Sequence, residues 1–350
     1  MAGKTVIMNH SETQGTFTLI GRAEYARRLR DTECPVPFEA TPHWEKIDAL
    51  SSGRELFGNS PLLWEKDGFS ALLQLKRYRI KHLNFLWSRG GPVWNRRPDS
   101  ALEWQLFSDL RKYVKQRDRK IDFLRIQSFC EIGEPDCQHL SYDSTVVINL
   151  EDGPEAVKRR MKSRGRRDVN KALRECGGEC REETQISCRD FAQPVALLKD
   201  TAQRKGFSAK NGTFYFSFLQ TLRNAENPLP VRLFTYREEG KVQAWAMFTV
   251  YGTQAHYYFA ASARAGQKNL AAERLLWHAC TVFMDEGIKT LDLMGIGSKL
   301  APHLNTLNIF KTKFSTETVS VPPYRDLPIR KRRYRLLNAL CSLKQKITLR

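Results

Sequence analysis

The segment with the most distinctive chemistry is IFKTKF, residues 309–314. It places the aromatic ring of Phe310 directly before the amine of Lys311. An ammonium held against an aromatic face can stabilise the oxyanion that develops when an acyl group is transferred. An ordinary solvent-exposed lysine fits the same letters, so the segment alone leaves two interpretations open.

A strongly basic segment, Val157–Arg174, is the second candidate. It reads VKRRMKSRGRRDVNKALR and contains nine lysines or arginines against one acidic residue, Asp168. Its apolar residues recur at helical spacing, which predicts a single charged helix after residues 152–154. A helix face with many cations and almost no acidic residues is suited to contacts with phosphates. The alternative interpretation is an ordinary helix face that is exposed to solvent. The candidates for polyanion contact are Lys162, Arg164, Arg166, Arg167 and Lys171.

The whole chain is basic. Its 57 lysines and arginines exceed its 38 acidic residues, which gives a formal net charge of +19. Such a charge predicts attraction to nucleic acid, to nucleotide phosphates or to an anionic membrane, or else a generally basic soluble surface. With 41% hydrophobic residues the chain can also bury substantial cores, so a disordered protein is excluded.

A second basic block lies at residues 329–350. Arg330, Lys331, Arg332, Arg333 and Arg335 precede an amphipathic run that contains Leu336, Leu337, Leu340 and Leu343. This pattern fits contact with anionic lipid or RNA. It fits equally well a terminal helix that packs on the body of the protein.

Several classes of site have no signal in the sequence. The eight cysteines include no C-x-x-C pair, the histidines include no H-x-x-x-H pair, and neither a Walker loop nor a G-x-S-x-G turn occurs. We therefore expect free thiols, no metal and no resident cofactor. The polar start of the chain and the lack of a long apolar run predict a cytoplasmic protein, either free or peripheral at the inner face of the membrane.

The predicted secondary structure has a repeated order. Periodicity predicts helices near 23–29, 43–50, 101–116, 191–205, 214–223 and 269–286. It predicts strands near 70–80, 82–88, 121–129, 144–150, 231–238, 242–252, 254–262 and 289–296. Helices, meander strands, a helix and a strand thus occur twice, which predicts an α/β (α+β) fold used in tandem, with mixed sheets flanked by helices. One large mixed-sheet domain is the alternative.

Six blocks in this order resemble motifs of the Fem family of non-ribosomal peptidyl transferases, which build peptidoglycan interpeptide bridges. They are W-x-K at 44–46, SRGGPV from Ser88, MKSRGRRDVNKALRECG from Met161, AQRKGF at 202–207, YYFAAS from Tyr257, and LDLMGI at 291–296 followed by IFKTKF. The resemblance covers about Phe38 to Phe314.

The resemblance implies two GNAT-like domains in tandem. In the family the C-terminal segment returns to the first domain, so we expect residues 1–150 to be joined by 320–350 and residues 151–319 to form the second domain. Larger members carry a coiled-coil hairpin. No long heptad segment occurs here, so the chain resembles the compact members without that insertion.

The resemblance also implies a reaction. In the family an acceptor amine attacks the ester carbonyl of an aminoacyl-tRNA, which is a co-substrate, and the acceptor is a UDP-linked or lipid-linked muropeptide precursor. By this resemblance Lys311 stabilises the tetrahedral intermediate, Phe310 holds the Lys311 side chain, and the basic segment binds tRNA. The residues implied for the acceptor are Trp44, Lys46, Arg204, Phe207, Tyr257 and Tyr258.

Two departures from the family pattern concern the acceptor. Gln127 stands where the family commonly has a carboxylate that could receive the amine's proton, and LDLMGI has Leu291 and Met294 where Tyr and Gly are usual. They leave open an aminoacyl-tRNA-dependent enzyme that tailors a peptide natural product.

Two further alternatives come from other classes of protein. One is an acyl-CoA-dependent GNAT N-acyltransferase, although residues 264–269 do not fit the pyrophosphate loop of that group. The other is a non-enzymatic RNA-binding protein, which only the charge supports.

Overall fold

The computed structural model describes residues 14–80, 83–132, 142–206, 208–224, 229–264 and 269–348, with side chains described up to residue 340. The α-helices are α1 (Arg22–Arg30), α2 (Pro42–Asp48), α3 (Ser100–Arg117), α4 (Gly153–Arg160), α5 (Ser163–Glu175), α6 (Ala192–Lys205), α7 (Gly212–Leu222), α8 (Ala271–Asp285), α9 (Asn305–Lys311) and α10 (Lys331–Thr348). Short 3-10 turns cover Phe38–Ala40 and Pro302–Leu304.

Fifteen strands are formed by the described residues. They are β1 (Thr16–Leu19), β2 (Leu62–Lys66), β3 (Phe69–Leu73), β4 (Leu75–Ile80), β5 (Leu83–Ser88), β6 (Val93–Trp94), β7 (Phe123–Gln127), β8 (Ser144–Asn149), β9 (Glu179–Glu182), β10 (Val231–Glu238), β11 (Lys241–Tyr251), β12 (Gln254–Ser262), β13 (Thr290–Gly295), β14 (Val319–Ser320) and β15 (Tyr324–Pro328). Mixed sheets flanked by helices confirm the predicted α/β class.

The chain divides into two compact units. The first contains residues 1–35, 55–137 and 325–350, and the second contains 36–54 and 138–324. This division differs from the expected one at residue 150, because β8 pairs with β13 and β14 in the sheet of the second unit. The segment 36–54, which we expected in the first domain, also belongs to the second unit, because Trp44 and Ile47 pack in its core.

The first unit has two sheets, in the orders β1-β2-β3-β6 and β15-β7-β5-β4. The single strand predicted over 70–80 is two strands, β3 and β4, which belong to different sheets and meet at the buried Gln74. The C-terminal segment is tied into this unit by a buried ion pair in which Arg125 donates to both carboxylate oxygens of Asp326, at 2.7 and 2.9 Å.

The second unit is one sheet of seven strands, in the order β14-β8-β13-β12-β11-β10-β9. One apolar cluster, to which α4, α5 and α8 contribute, covers one face, and another, with α2, α6 and α7, covers the other. Because both faces are covered, β11 carries an unbroken buried run, 244–250, instead of alternating polar and apolar residues. β12 and β13 are parallel and are joined through α8.

The basic segment forms two helices, α4 and α5, instead of the single predicted helix. Met161 and Lys162 adopt extended backbone conformations between them, and Met161 is fully buried in the core. Arg166 then donates from Nη1 to the Met161 carbonyl oxygen at 2.5 Å. The helical periodicity continues through this point, but the helix does not. It is interrupted where the Met161 side chain is buried and where Arg166 binds the carbonyl group at the end of α4.

Candidate active site

The parallel strands β12 and β13 stay paired only at their beginnings. The register joins Gln254–His256 to Thr290–Asp292, whereas β12 continues to Ser262 and β13 to Gly295. Beyond Asp292 the pairing of β13 with β8 is irregular as well, and Met294 has a left-handed backbone with φ 63°. Carbonyl groups at this end of β13 are therefore available to a side chain.

Lys311, the last residue of α9, occupies this position. It is buried, and its Nζ donates to the carbonyl oxygens of Met294 at 3.2 Å and Gly295 at 2.8 Å. An ammonium has three donors, so one proton remains for a further acceptor. The pKa of Lys311 is lowered to about 8, mainly because the side chain is buried. The Asp292 carboxylate acts in the opposite direction, and Lys205 adds to the lowering. The group is therefore mostly protonated at neutral pH.

Asp292 fixes the backbone that holds Lys311. Its Oδ1 accepts from the Met294 amide at 2.6 Å and from the Thr145 hydroxyl. Accepting the Met294 amide supports the strained left-handed turn that aims two carbonyl oxygens at one ammonium. The Asp residue of the LDLMGI block thus has an observed positional role.

Lys313, two residues beyond Lys311, lies in a buried ion cluster. Its Nζ contacts Asp168 of α5 at 2.9 Å and Glu273 of α8, and all three side chains are buried. The ammonium that lies over the Phe310 ring is that of Lys313, at 5.7 Å from the centroid. We expected Phe310 to hold Lys311, but Lys311 is held by carbonyl oxygens, because these satisfy a buried ammonium better than a ring face does.

Helix α5 also approaches the backbone beside the site. The Lys162 amide donates to the Lys313 carbonyl oxygen at 3.0 Å. A Cβ at Gly165 would overlap that same oxygen, so only glycine permits this approach. The N-terminal end of the basic helix and the segment after Lys311 are therefore packed backbone to backbone.

The cations of the basic helix have different environments. Lys162, Arg164, Arg167 and Lys171 are exposed, whereas Arg166 is half-buried and bound to the end of α4. Arg164 and Arg167 each lie 3.7 Å from Asp168, with side chains 63% and 73% exposed. Arg164, Arg167 and Lys171 lie on α5, whose Asp168 binds Lys313, and Lys162 directly precedes that helix.

Five of the residues predicted for the acceptor are described, and they all lie in the second unit, but they do not form one cluster. Trp44 is buried against Phe38, Phe218 and Tyr258, whereas Lys46 is exposed. Because 36–54 is part of the second unit, Lys46 lies in the same unit as Arg204.

Arg204 is engaged by its own unit. It donates to the Ser262 carbonyl oxygen at 2.9 Å and lies 3.8 Å from Asp200. Phe207 lies outside the described residues.

The two tyrosines of β12 point to opposite faces of the sheet. The Tyr257 ring contacts Phe248 and Phe310, and burial raises the pKa of its phenol. Tyr258 instead donates from its hydroxyl to the Glu39 carboxylate at 2.7 Å. Adjacent strand residues alternate in direction, so the two cannot share one role.

Two residues near the site carried no sequence signal that we recognised. One is Glu39, the partner of Tyr258. The other is Tyr142, whose ring packs against Gly295. Burial, with the nearby carboxylates of Asp292 and Glu39, raises the pKa of Tyr142 well above its usual range, so its phenol stays protonated.

Within the described residues, no three His, Cys, Asp or Glu side chains are grouped so that they could hold a metal ion. The cysteines with described side chains are all free thiols. The described helices include none with the length and apolar character needed to cross a membrane.

Comparison with known proteins identifies the fold. Residues 159–300 match a family model described as an acetyltransferase (GNAT) domain. The crystal structure of FemX matches with a TM-score of 0.70 at 13% identity, covering 92% of this chain and 100% of FemX. The chain has the fold of FemX. This confirms the predicted Fem-like, GNAT-like architecture, and with the family match it supports an acyltransferase of the GNAT-like superfamily.

Other likenesses to the FemX-like fold are weaker. A conserved protein of unknown function from Bacteroides thetaiotaomicron has a TM-score of 0.50 at 11% identity, with 89% of this chain and 99% of the other covered. The C-terminal domain of a putative lysylphosphatidylglycerol synthetase from Agrobacterium fabrum has a TM-score of 0.49 at 11% identity, with 87% and 92% covered. No curated protein sequence matches significantly.

The ion cluster predicts a large loss of stability when Lys313 is replaced. Lys313→Met leaves Asp168 and Glu273 buried without their cation, which costs about 3–5 kcal/mol in the free energy of unfolding. Lys171→Met is the matched control, because its pair with Glu175 is exposed at 3.6 Å and contributes about 0.5 kcal/mol at most. Urea unfolding measures both, and equal small losses would contradict the assignment.

Lys311 predicts a pH-dependent stability. Its pKa is about 8 in the folded protein against an ordinary value of 10.5, so between these values the unfolded chain binds more protons at this group. The free energy of unfolding therefore rises with pH across this window in the wild type relative to Lys311→Met. Thermal unfolding of both proteins from pH 8 to 10.5 tests this, since other lysines cancel in the difference. Parallel curves would show that the Lys311 pKa is ordinary.

Proposed function

We propose that the chain transfers an aminoacyl group from a charged tRNA to an amine of a peptide acceptor, with a peptidoglycan precursor stem peptide as the preferred acceptor. The observation that carries this proposal is the buried Lys311 ammonium, held by two carbonyl oxygens with one proton left over. That arrangement suits a reaction whose transition state develops negative charge on a carbonyl oxygen.

The proposed reaction needs little from the protein besides positioning. The unprotonated acceptor nitrogen attacks the ester carbonyl carbon, and a C–N bond forms while the carbonyl oxygen becomes an oxyanion. Lys311 donates its remaining hydrogen bond to that oxyanion. The C–O ester bond then breaks, and the terminal ribose hydroxyl of the tRNA leaves with the proton that the amine gives up. An activated ester and a positioned amine react without a covalent enzyme intermediate.

The charge of α5 supports tRNA as the donor. The helix carries the exposed cations Arg164, Arg167 and Lys171, with the exposed Lys162 directly before it, and all four can contact phosphates. The Lys162 amide and Gly165 contact the Lys313 carbonyl oxygen in the segment that follows Lys311. If the phosphates on this helix are those next to the aminoacyl end of the tRNA, the ester lies within the same unit as Lys311. The likeness to the Fem family, whose reaction uses this donor, supports the same conclusion.

An acyl-CoA-dependent N-acyltransferase is the second candidate. The observation that favours it is the match of residues 159–300 to an acetyltransferase (GNAT) domain. Lys311 would serve a thioester as well as an ester, because both develop an oxyanion. The two proposals therefore differ only in the donor.

Replacement of Lys311 tests its role in transfer. Lys311→Met should lower the rate of aminoacyl transfer on the order of 10²- to 10³-fold, the scale of one lost oxyanion donor. The affinities for tRNA and for the acceptor should persist, because Lys311 acts on charge that develops during the reaction. Single-turnover rates and separate binding measurements distinguish these effects. Near-normal turnover of the variant would remove Lys311 from the mechanism.

The salt dependence of tRNA binding tests α5. Arg164→Gln with Arg167→Gln should reduce the log–log slope of affinity against salt concentration by about two units, one for each lost phosphate contact. Lys112→Gln with Lys115→Gln is the matched control, because these exposed cations lie on α3 of the first unit. If both double variants have the wild-type slope, α5 is an ordinary solvated helix.

A further inference from the structure

Helix α10 is attached to the first unit by one side of its first turn. Tyr334 is fully buried, donates to Asp326 at 2.9 Å, and stacks edge-on against Phe123 with ring centroids 5.3 Å apart. Arg333 lies 2.8 Å from Asp122 in an ion pair. These contacts fix the orientation of the helix and therefore which residues face solvent.

The solvent-facing side combines leucines with cations. Leu336 and Leu340, one turn apart, are 62% and 56% exposed. Lys331, Arg332 and Arg335 are exposed on the same helix. No acidic residue occurs anywhere from Arg330 to the end of the chain.

We propose that this face of α10 lies on an anionic membrane surface. A helix of this kind buries its apolar side chains at the boundary between headgroups and acyl chains, while its cations remain at the level of anionic headgroups. RNA would be bound by the cations alone, and exposed leucines at a spacing of one turn would gain nothing from phosphates. The leucines therefore favour a lipid surface over RNA.

Membrane contact would bear on the acceptor. If the proposed transfer reaction holds, a surface-bound enzyme meets an acceptor that is itself carried by a lipid, and the lipid-linked class is favoured over the UDP-linked one. This step rests on the proposed function, whereas membrane binding itself does not. The two are therefore measured separately.

Sedimentation with vesicles tests the proposal on the full chain. The wild type should bind vesicles of mixed phosphatidylglycerol and phosphatidylcholine and should bind pure phosphatidylcholine at least about tenfold more weakly, because each cation near an anionic surface contributes measurably. Arg332→Glu with Arg335→Glu should lower binding about tenfold or more. Leu336→Asn with Leu340→Asn should lower it as well.

Lys112→Glu with Lys115→Glu, an exposed pair on α3 with the same spacing, is the matched control and should bind vesicles as the wild type does. Equal losses in the control would reduce the effect to net charge and overturn the proposal. If the wild type does not bind vesicles and the α10 variants lose affinity for tRNA, the face binds RNA instead. Transfer to a soluble acceptor should be unchanged in both α10 variants, so a failed transfer assay and a failed vesicle assay refute different claims.

Discussion

The buried cluster of Lys313, Asp168 and Glu273 is the interaction on which the candidate site depends. It joins α5, α8 and the segment after α9 at one point, and each member would be costly to bury alone. Buried charges of this kind tolerate few geometries, because any displacement leaves a charge without its partner. The backbone two residues before Lys313, which carries Lys311, is therefore held by elements that are distant in the sequence.

The two lysines of this segment show how environment divides one residue type into two roles. Lys313 is neutralised by carboxylates, so its charge is fully used within the fold. Lys311 is held by the carbonyl oxygens of Met294 and Gly295, which leaves one of its protons for a further acceptor. Its burial lowers its pKa to about 8. Among the described residues no carboxylate forms an ion pair with Lys311, so an oxyanion that forms beside it would gain a partner whose hydrogen-bonding capacity is not yet filled.

The sequence predicted most of the elements around the site, but it did not predict the side-chain contacts between them. The α/β class and most helices of the second unit followed from periodicity and local composition, which are short-range properties, whereas the role of Lys311 was implied by the resemblance to the Fem family. Periodicity and composition did not predict three other features. These are the break between α4 and α5, the position of Lys313 instead of Lys311 over the Phe310 ring, and the placement of 36–54 in the second unit. Each depends on a long-range contact, such as Met161 in the core or Trp44 against Tyr258, which residue spacing does not encode.

In the proposed reaction the Lys311 site accepts an aminoacyl group from tRNA. The most direct test incubates the protein with a pool of charged tRNAs and muropeptide precursors, and in parallel with acetyl-CoA and the same precursors, and then measures the mass of the precursors. We expect a gain equal to one aminoacyl residue that requires charged tRNA and is lost in Lys311→Met. A gain of an acetyl group from acetyl-CoA, with charged tRNA inert, would rule out tRNA as the donor.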